Sequence, residues 1–226
     1  MALNATFRHA LASALKKYEG SRDYFYRDSI GQVTIGVGHL VSNEAEAACL
    51  KLTHRSDLKP ATAPEIIAAF RAVKAESFTY RGENDHKTRT WGSAHYKNLA
   101  GASDIFMTAH EIDWLLDRHI DEFHRYLQRN FTVAHGYKRE FDSFSDNVRL
   151  ALFDMIFNLG PTKFPSRWPT LVKALKAEDW QAAAQASVRH QLSPARNLYV
   201  HSLLLAGCTV PPPVTSGLLT PALVRS

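Results

Sequence analysis

A glutamate, an aspartate and a threonine stand at positions 19, 28 and 34 of the stretch YEGSRDYFYRDSIGQVTIGVGH, residues 18–39. Glu19 falls where an apolar pattern at three-and-four spacing (Phe7, Leu11, Ala14, Leu15, Tyr18) runs out before Gly20, so it closes an amphipathic helix. Unsatisfied carbonyls make that helix end negative and bias a carboxyl group there toward keeping its proton. Asp28 ends the run YFYRD beside the turn SIGQ, where backbone donors and water favour an ionised carboxylate. In the strand that follows, Val33, Ile35 and Val37 share one face, while Thr34, Gly36 and Gly38 share the other. The second face is expected to be bare except for one hydroxyl, leaving room for a bulky ligand and letting Thr34 orient a water near Asp28. An acid, a base and a water-orienting hydroxyl suit glycoside hydrolysis, in which one carboxylic acid protonates the leaving oxygen and a second carboxylate acts on the opposite sugar face.

These groups need elements to hold them. YFYRD and VTIGVGH flank SIGQ and read as a hairpin. From 41 to 106 the pattern weakens. One helix is expected at APEIIAAFRAVKA, and the rest, including the polar stretch YRGENDHKTRTWGSAHYKNLAG, reads as a mobile insertion. Thr108 and Glu111 form a capping box that opens a helix over about 108–128, whose stripe Ile112, Leu115, Leu116, Ile120, Phe123 and Leu127 suits a link between two lobes. Val148, Ala151, Leu152, Met155, Ile156 and Leu159 predict a core helix over 146–159, stopped by Gly160-Pro161. Shorter helices are expected near 169–177 and 179–189, and Ser193-Pro194 caps another that ends at Gly207.

The predicted fold is α+β, mainly α: a single two-lobed domain over 1–207. Its small N-terminal lobe holds the hairpin (about 18–106), its helical C-lobe spans about 129–207 with helix 1–19 packed on it, and a proline-containing tail follows at 208–226.

At 226 residues, 45% of them hydrophobic, the chain can bury a substantial core, and its formal charge of +5 favours polyanionic partners such as anionic wall polymers. Two cysteines, Cys49 and Cys208, are too few for a disulfide scaffold and read as small buried apolar residues. The start, MALNATFRHALASALKK, carries Arg8 and His9 within its apolar stretch and is neither a typical export signal nor a membrane span. His110-Glu111 begins like a zinc-protease helix, but Trp114 stands where the second histidine belongs. No G-x-S-x-G elbow or G-x-x-x-x-G-K-[ST] phosphate loop occurs, so no metal and no cofactor are expected.

The intervals within YEG (18–20), Y-x-D (26–28), Gly31 and TIGVGH (34–39) resemble the T-even phage-type lysozymes and related endolysins, muramidases that cut peptidoglycan. The likeness resumes at NVRLALFDMIFNLG and at SPARN, and covers about 5–40 and 108–207. It implies Glu19 as general acid, Asp28 as the carboxylate that positions or activates water, and Thr34 as its helper. It also implies that Arg196 faces the catalytic glutamate, although a place early in a helix is ordinarily a surface one, and that Asn158 lies near the cleft or simply on a polar stripe with Asn147 and Asp154. His119 stands where many relatives carry an aspartate that pairs with the histidine matching His39, so that ion pair is not expected here. Tyr80, Trp91 and Tyr96 suit either sugar stacking or packing.

The resemblance implies hydrolysis, with inversion, of the β-1,4 bond between N-acetylmuramic acid and N-acetylglucosamine. The protein would be a monomeric phage endolysin, or an antibacterial effector with an immunity protein and a delivery machine as partners. It would be made in the cytoplasm and act on the cell wall, without nucleic acid and without stable membrane insertion. A non-catalytic peptidoglycan-binding module and a lytic transglycosylase remain as alternatives; the first needs no acid–base pair, and the second can dispense with Asp28.

Overall fold

The computed structural model describes residues 2–28, 30–76 and 93–208. The expectations for Tyr80, Trp91 and nearly all of the tail lie outside them.

Helix α1 (Ala5–Glu19) begins at Asn4, whose side chain accepts from Phe7 N at 2.8 Å, and buries Phe7, Leu11 and Leu15. Gly20, at φ +76°, stops it and donates back to Lys16 O. Strands β1 (Arg22–Arg27), β2 (Val33–Gly36) and β3 (His39–Leu40) then form an antiparallel sheet in that order. Tyr26 pairs with Thr34 and Arg27 with Val33, while an irregularity before Tyr26 shifts the register at Arg22.

Two sequence expectations fail around this sheet. The strand does not run on to His39: Gly36 and Gly38 adopt φ of +65° and +68° and turn the chain into β3. The face carrying Thr34 is not bare either. Thr34 is 4% exposed, and a Cβ built on Gly36 would meet Met107 and Leu115 at 3.8 and 3.9 Å. These glycines serve a tight reversal that side-chain-bearing residues rarely adopt.

The described parts of 41–106 contribute to the core, through Val41, Ala47, Leu52 and Ile105 among others, where a mobile insertion was expected. Helices α2 (Glu44–Ala48) and α3 (Ala63–Ala75) pack together, and β4 (Thr53–His54) pairs with β5 (Ile105–Phe106). Thr62 and Glu65 form a capping box with Pro64 in the first turn of α3. Ile66, Ala69, Phe70 and Val73 are buried from α3, and the Phe70 ring meets Phe25 of β1 edge-on at 6.2 Å. Tyr96 is fully buried, so it packs rather than stacks on sugar. Cys49 is exposed, against the expectation of a buried cysteine, because it caps α2 at the surface.

Helix α4 (Ala109–Asn130) is capped by Thr108 and runs about 33 Å at 1.5 Å per residue. Its first half lies under β2 and its second half packs on α5 (Asp146–Leu159), so one stiff element serves both halves of the fold. Helix α8 (Pro194–Leu205) packs on α5, α7 (Trp180–Ala186) packs on α8, and α6 (Pro169–Ala177) packs on α7. Gly207 follows α8 at a close approach, since a Cβ there would sit 2.7 Å from Val148 and 3.1 Å from Trp180.

Helix α1 returns to this helical half. Phe7 packs on Phe153 of α5 at 6.0 Å, with the Arg149 guanidinium 4.5 Å above its ring. Along α4, Arg8 pairs with Asp117 and Asp121, and Lys16 with Asp113. The ion pairs are partly exposed and contribute about 0–1 kcal/mol each, whereas each buried large side chain contributes about 1.5–3 kcal/mol. Apolar burial therefore holds α1, and the pairs fix its alignment.

Candidate active site

Glu19 sits where α1 ends and the sheet begins. The turn between β2 and β3 comes up beside it: a Cβ on Gly38 would lie 3.9 Å from Glu19 Cβ and Cγ and 3.8 Å from Phe157. Tyr26 of β1 lies within the field of both Glu19 and Asp28. Burial is the main reason that its phenol is pushed up to about 12; Arg22 opposes the shift, and the two carboxylates add to it.

Asp28 closes the β1–β2 turn with its own side chain. Its Oδ1 accepts from Ile30 N at 3.0 Å and Gln32 N at 2.8 Å, and its backbone N donates to Gln32 O at 2.9 Å. Among the described residues none donates to Oδ2. One carboxylate oxygen is thus committed to the backbone and fixes the orientation of the other. Thr34 donates its hydroxyl to Gln32 O at 3.2 Å. Gln32 therefore links Thr34 to Asp28 through the two ends of its own peptide groups, a connection that sequence reasoning missed because it runs through main-chain atoms.

Arg196 comes from the first turn of α8 and is 3% exposed, so it is not the surface cation its sequence position would ordinarily give. Its Nη2 donates to Glu19 Oε1 at 2.6 Å, and its Nε donates to Asp154 Oδ2 at 3.1 Å and Oδ1 at 3.3 Å. Burial alone would lower this guanidinium, but Asp154 and Glu19 outweigh it and hold Arg196 above its ordinary value.

Asp154, on α5, is 2% exposed and also accepts from Arg189 Nη2 at 2.5 Å. Arg189 is itself 1% exposed, and burial lowers its guanidinium from the ordinary value in spite of Asp154. Asn158 accepts from Arg189 Nη1 at 3.3 Å, so its amide belongs to this buried network. Asp154 and Arg189 were not singled out from sequence. The available signal was an aspartate on a helix that is apolar nearly all round, which needs a buried cation.

His39 and His119 face each other, Nδ1 to Nε2, at 2.7 Å. One nitrogen must donate and the other accept, so the contact requires an unprotonated ring. Burial, then His119 and Arg118, lower His39 to about 4, against a raising effect of Glu46; burial likewise lowers His119. A separate, largely apolar cavity of about 460 Å³ opens between α2 and α4, with His39, Cys49 and Trp114 in its wall and none of Glu19, Asp28 or Thr34. Among the described residues no group of three or more potential ligands is placed to hold a metal ion, and no helix is long and apolar enough to cross a membrane.

A small N-terminal sheet, a long shared helix and a helical C-terminal half make this a lysozyme-like α+β fold. A family model for phage lysozyme matches residues 73–199, more than half of the chain, and the chain belongs to that family. Membership implies a peptidoglycan-degrading enzyme of the glycoside hydrolase type that acts on the cell wall. The matched segment contains Asp154, Asn158, Arg189 and Arg196; Glu19, Asp28 and Thr34 precede it. No curated protein matches the chain.

Proposed function

We propose that this protein is a muramidase that hydrolyses the β-1,4 bond between N-acetylmuramic acid and N-acetylglucosamine, with Glu19 as general acid and Asp28 as general base. The observation that carries the reading is the unequal use of the two carboxylates. Asp28 has Oδ1 tied to two backbone N–H groups and Oδ2 free of protein donors among the described residues, which suits it to hold a water. Glu19 has Oε1 tied to Arg196, and nothing among the described residues bonds to its Oε2, which suits it to present a proton.

In the reaction, Asp28 takes a proton from water as the water oxygen bonds to the anomeric carbon. The bond from that carbon to the leaving oxygen breaks, and Glu19 gives its proton to that oxygen. Attack from the face opposite the leaving group inverts the anomeric centre. Thr34 acts through Gln32 to stiffen the turn that carries Asp28. The positive net charge holds the enzyme on its anionic polymer. The biological setting that fits is a phage endolysin or a delivered antibacterial effector.

Mass spectrometry of muropeptides released from purified sacculi tests the reaction. New reducing N-acetylmuramic acid ends are expected. Anhydro ends would make the protein a lytic transglycosylase, and no release would make it a binding module.

A further inference from the structure

The network behind Glu19 contains one more charge than substrate chemistry requires. Two buried guanidinium groups, Arg189 and Arg196, converge on one buried carboxylate, Asp154, and of the two it is Arg196 that bonds on to Glu19. With Glu19 ionised the four groups sum to zero, and with Glu19 protonated they sum to +1. Neither arginine is free to swing away. Arg189 is fixed at its backbone by Asn197, whose Oδ1 accepts from Arg189 N and whose Nδ2 donates to Arg189 O, both at 2.9 Å. Arg196 lies in the capped first turn of α8, where Ser193 Oγ accepts from its backbone N.

We infer that Asp154 is a positioning residue for Glu19: it aims the Arg196 fork and cancels one of the two positive charges that would otherwise hold Glu19 as a carboxylate. Both effects follow from geometry. The guanidinium is planar, so the single Nε–H, shared between the two oxygens of Asp154, sets its plane and leaves Nη2 directed at Glu19 Oε1. In a buried site, where screening is weak, removing the negative charge leaves two cations acting on Glu19, and a general acid so held does not release and regain its proton near neutral pH. Around Glu19, the glycine turn before β3 and Phe157 of α5 come close, and Tyr26 of β1 shares its field with Arg22 and with the carboxylate of Asp28. Arg22 and Asp28 carry opposite charges and are unchanged in every variant below, so a difference between variants reports Asp154 and Arg189.

The inference rests on Glu19 acting as the general acid, and its test separates the two claims. Three variants have a predicted order. Asp154→Asn keeps the shape but removes the negative charge, and should move the basic limb of the pH–rate profile on sacculi to lower pH by about one unit. Arg189→Gln removes the second cation while leaving Asp154 paired with Arg196, and should move the limb to higher pH. The double variant restores the balance and should bring the limb back toward the parent.

A purely structural role would lower turnover in all three without that order. Should Asp154→Asn not fold, Arg189→Gln and the double variant still carry opposite expectations, one shifted and one returned. Carbon-13 titration of the Glu19 carboxyl in the same proteins gives the order independently of turnover. Displacements in the predicted directions with no muropeptide release would keep the electrostatic role of Asp154 and reject the catalytic reading. A Glu19 titration unmoved in every variant would overturn the inference.

Discussion

At the scale of single residues, replacing oxygen by nitrogen separates chemistry from folding. Glu19→Gln keeps the volume and an acceptor for Arg196 but has no proton to give, so turnover should fall by about 10²–10⁴, the usual worth of general acid catalysis. A variant with half the parent turnover on sacculi would remove Glu19 from the mechanism. In Asp28→Asn the amide oxygen can still accept from Ile30 and Gln32 while the nitrogen replaces the free Oδ2. Turnover should collapse with stability within about 1 kcal/mol of the parent, as read from urea midpoints. Arg196→Lys differs, because a single ammonium cannot span Asp154 and Glu19 from a buried position. It should cost about 2–4 kcal/mol of stability as well as activity; an unchanged midpoint would mean that the fork is not needed.

At the scale of elements, β3 is joined to α4 by two histidines where an ion pair would make the opposite pH response. The folded state lowers His39 to about 4 and lowers His119 as well, so between about pH 6.5 and 4 the unfolded chain binds more protons than the folded one. The stability contributed by the neutral pair is complete above about pH 6.5 and is lost as pH falls toward 4. For His39 alone this amounts to roughly 3 kcal/mol. His119→Asp should flatten that fall, because a carboxylate facing His39 favours its protonated form. Thermal midpoints between pH 7 and 4.5 check this, and parallel slopes in the two proteins would deny the pair its role.

Elements also differ in how openly the sequence displayed them. The helix 146–159 was legible to the residue because its apolar spacing ends at Gly160-Pro161, and α1 because Gly20 follows Glu19. Strands β4 and β5 have two residues each, too few to display a period, and α2 has only five. The capping box of α3 was present in the sequence, but its neighbours gave no pattern to extend it into a packed unit. The pairing of Asp154 with Arg189 spans 35 positions and exists only once α5 and the segment before α8 are packed. Glu19, Asp28 and Thr34 stood out because they lie close together along the chain, whereas their support does not.

At the scale of the whole molecule, the excess of positive charge and the buried network respond to salt differently. Exposed cations are screened as ionic strength rises, while Arg196 and Asp154 are shielded by the core. Retention of the Glu19→Gln variant on sacculi should therefore decline with added salt while its thermal midpoint changes little. Retention that is indifferent to salt would point to sugar contacts rather than charge. The packing of α1 on α5 has a further consequence during biosynthesis. Roughly 130 residues separate the two helices, and a ribosome adding about 5–20 residues per second needs roughly 6–25 s to make them. Through that interval Phe7, Leu11 and Leu15 wait for α5, so α1 is docked long after it is made, and Glu19 reaches Arg196 only when translation has passed α8 and that arginine has cleared the exit tunnel.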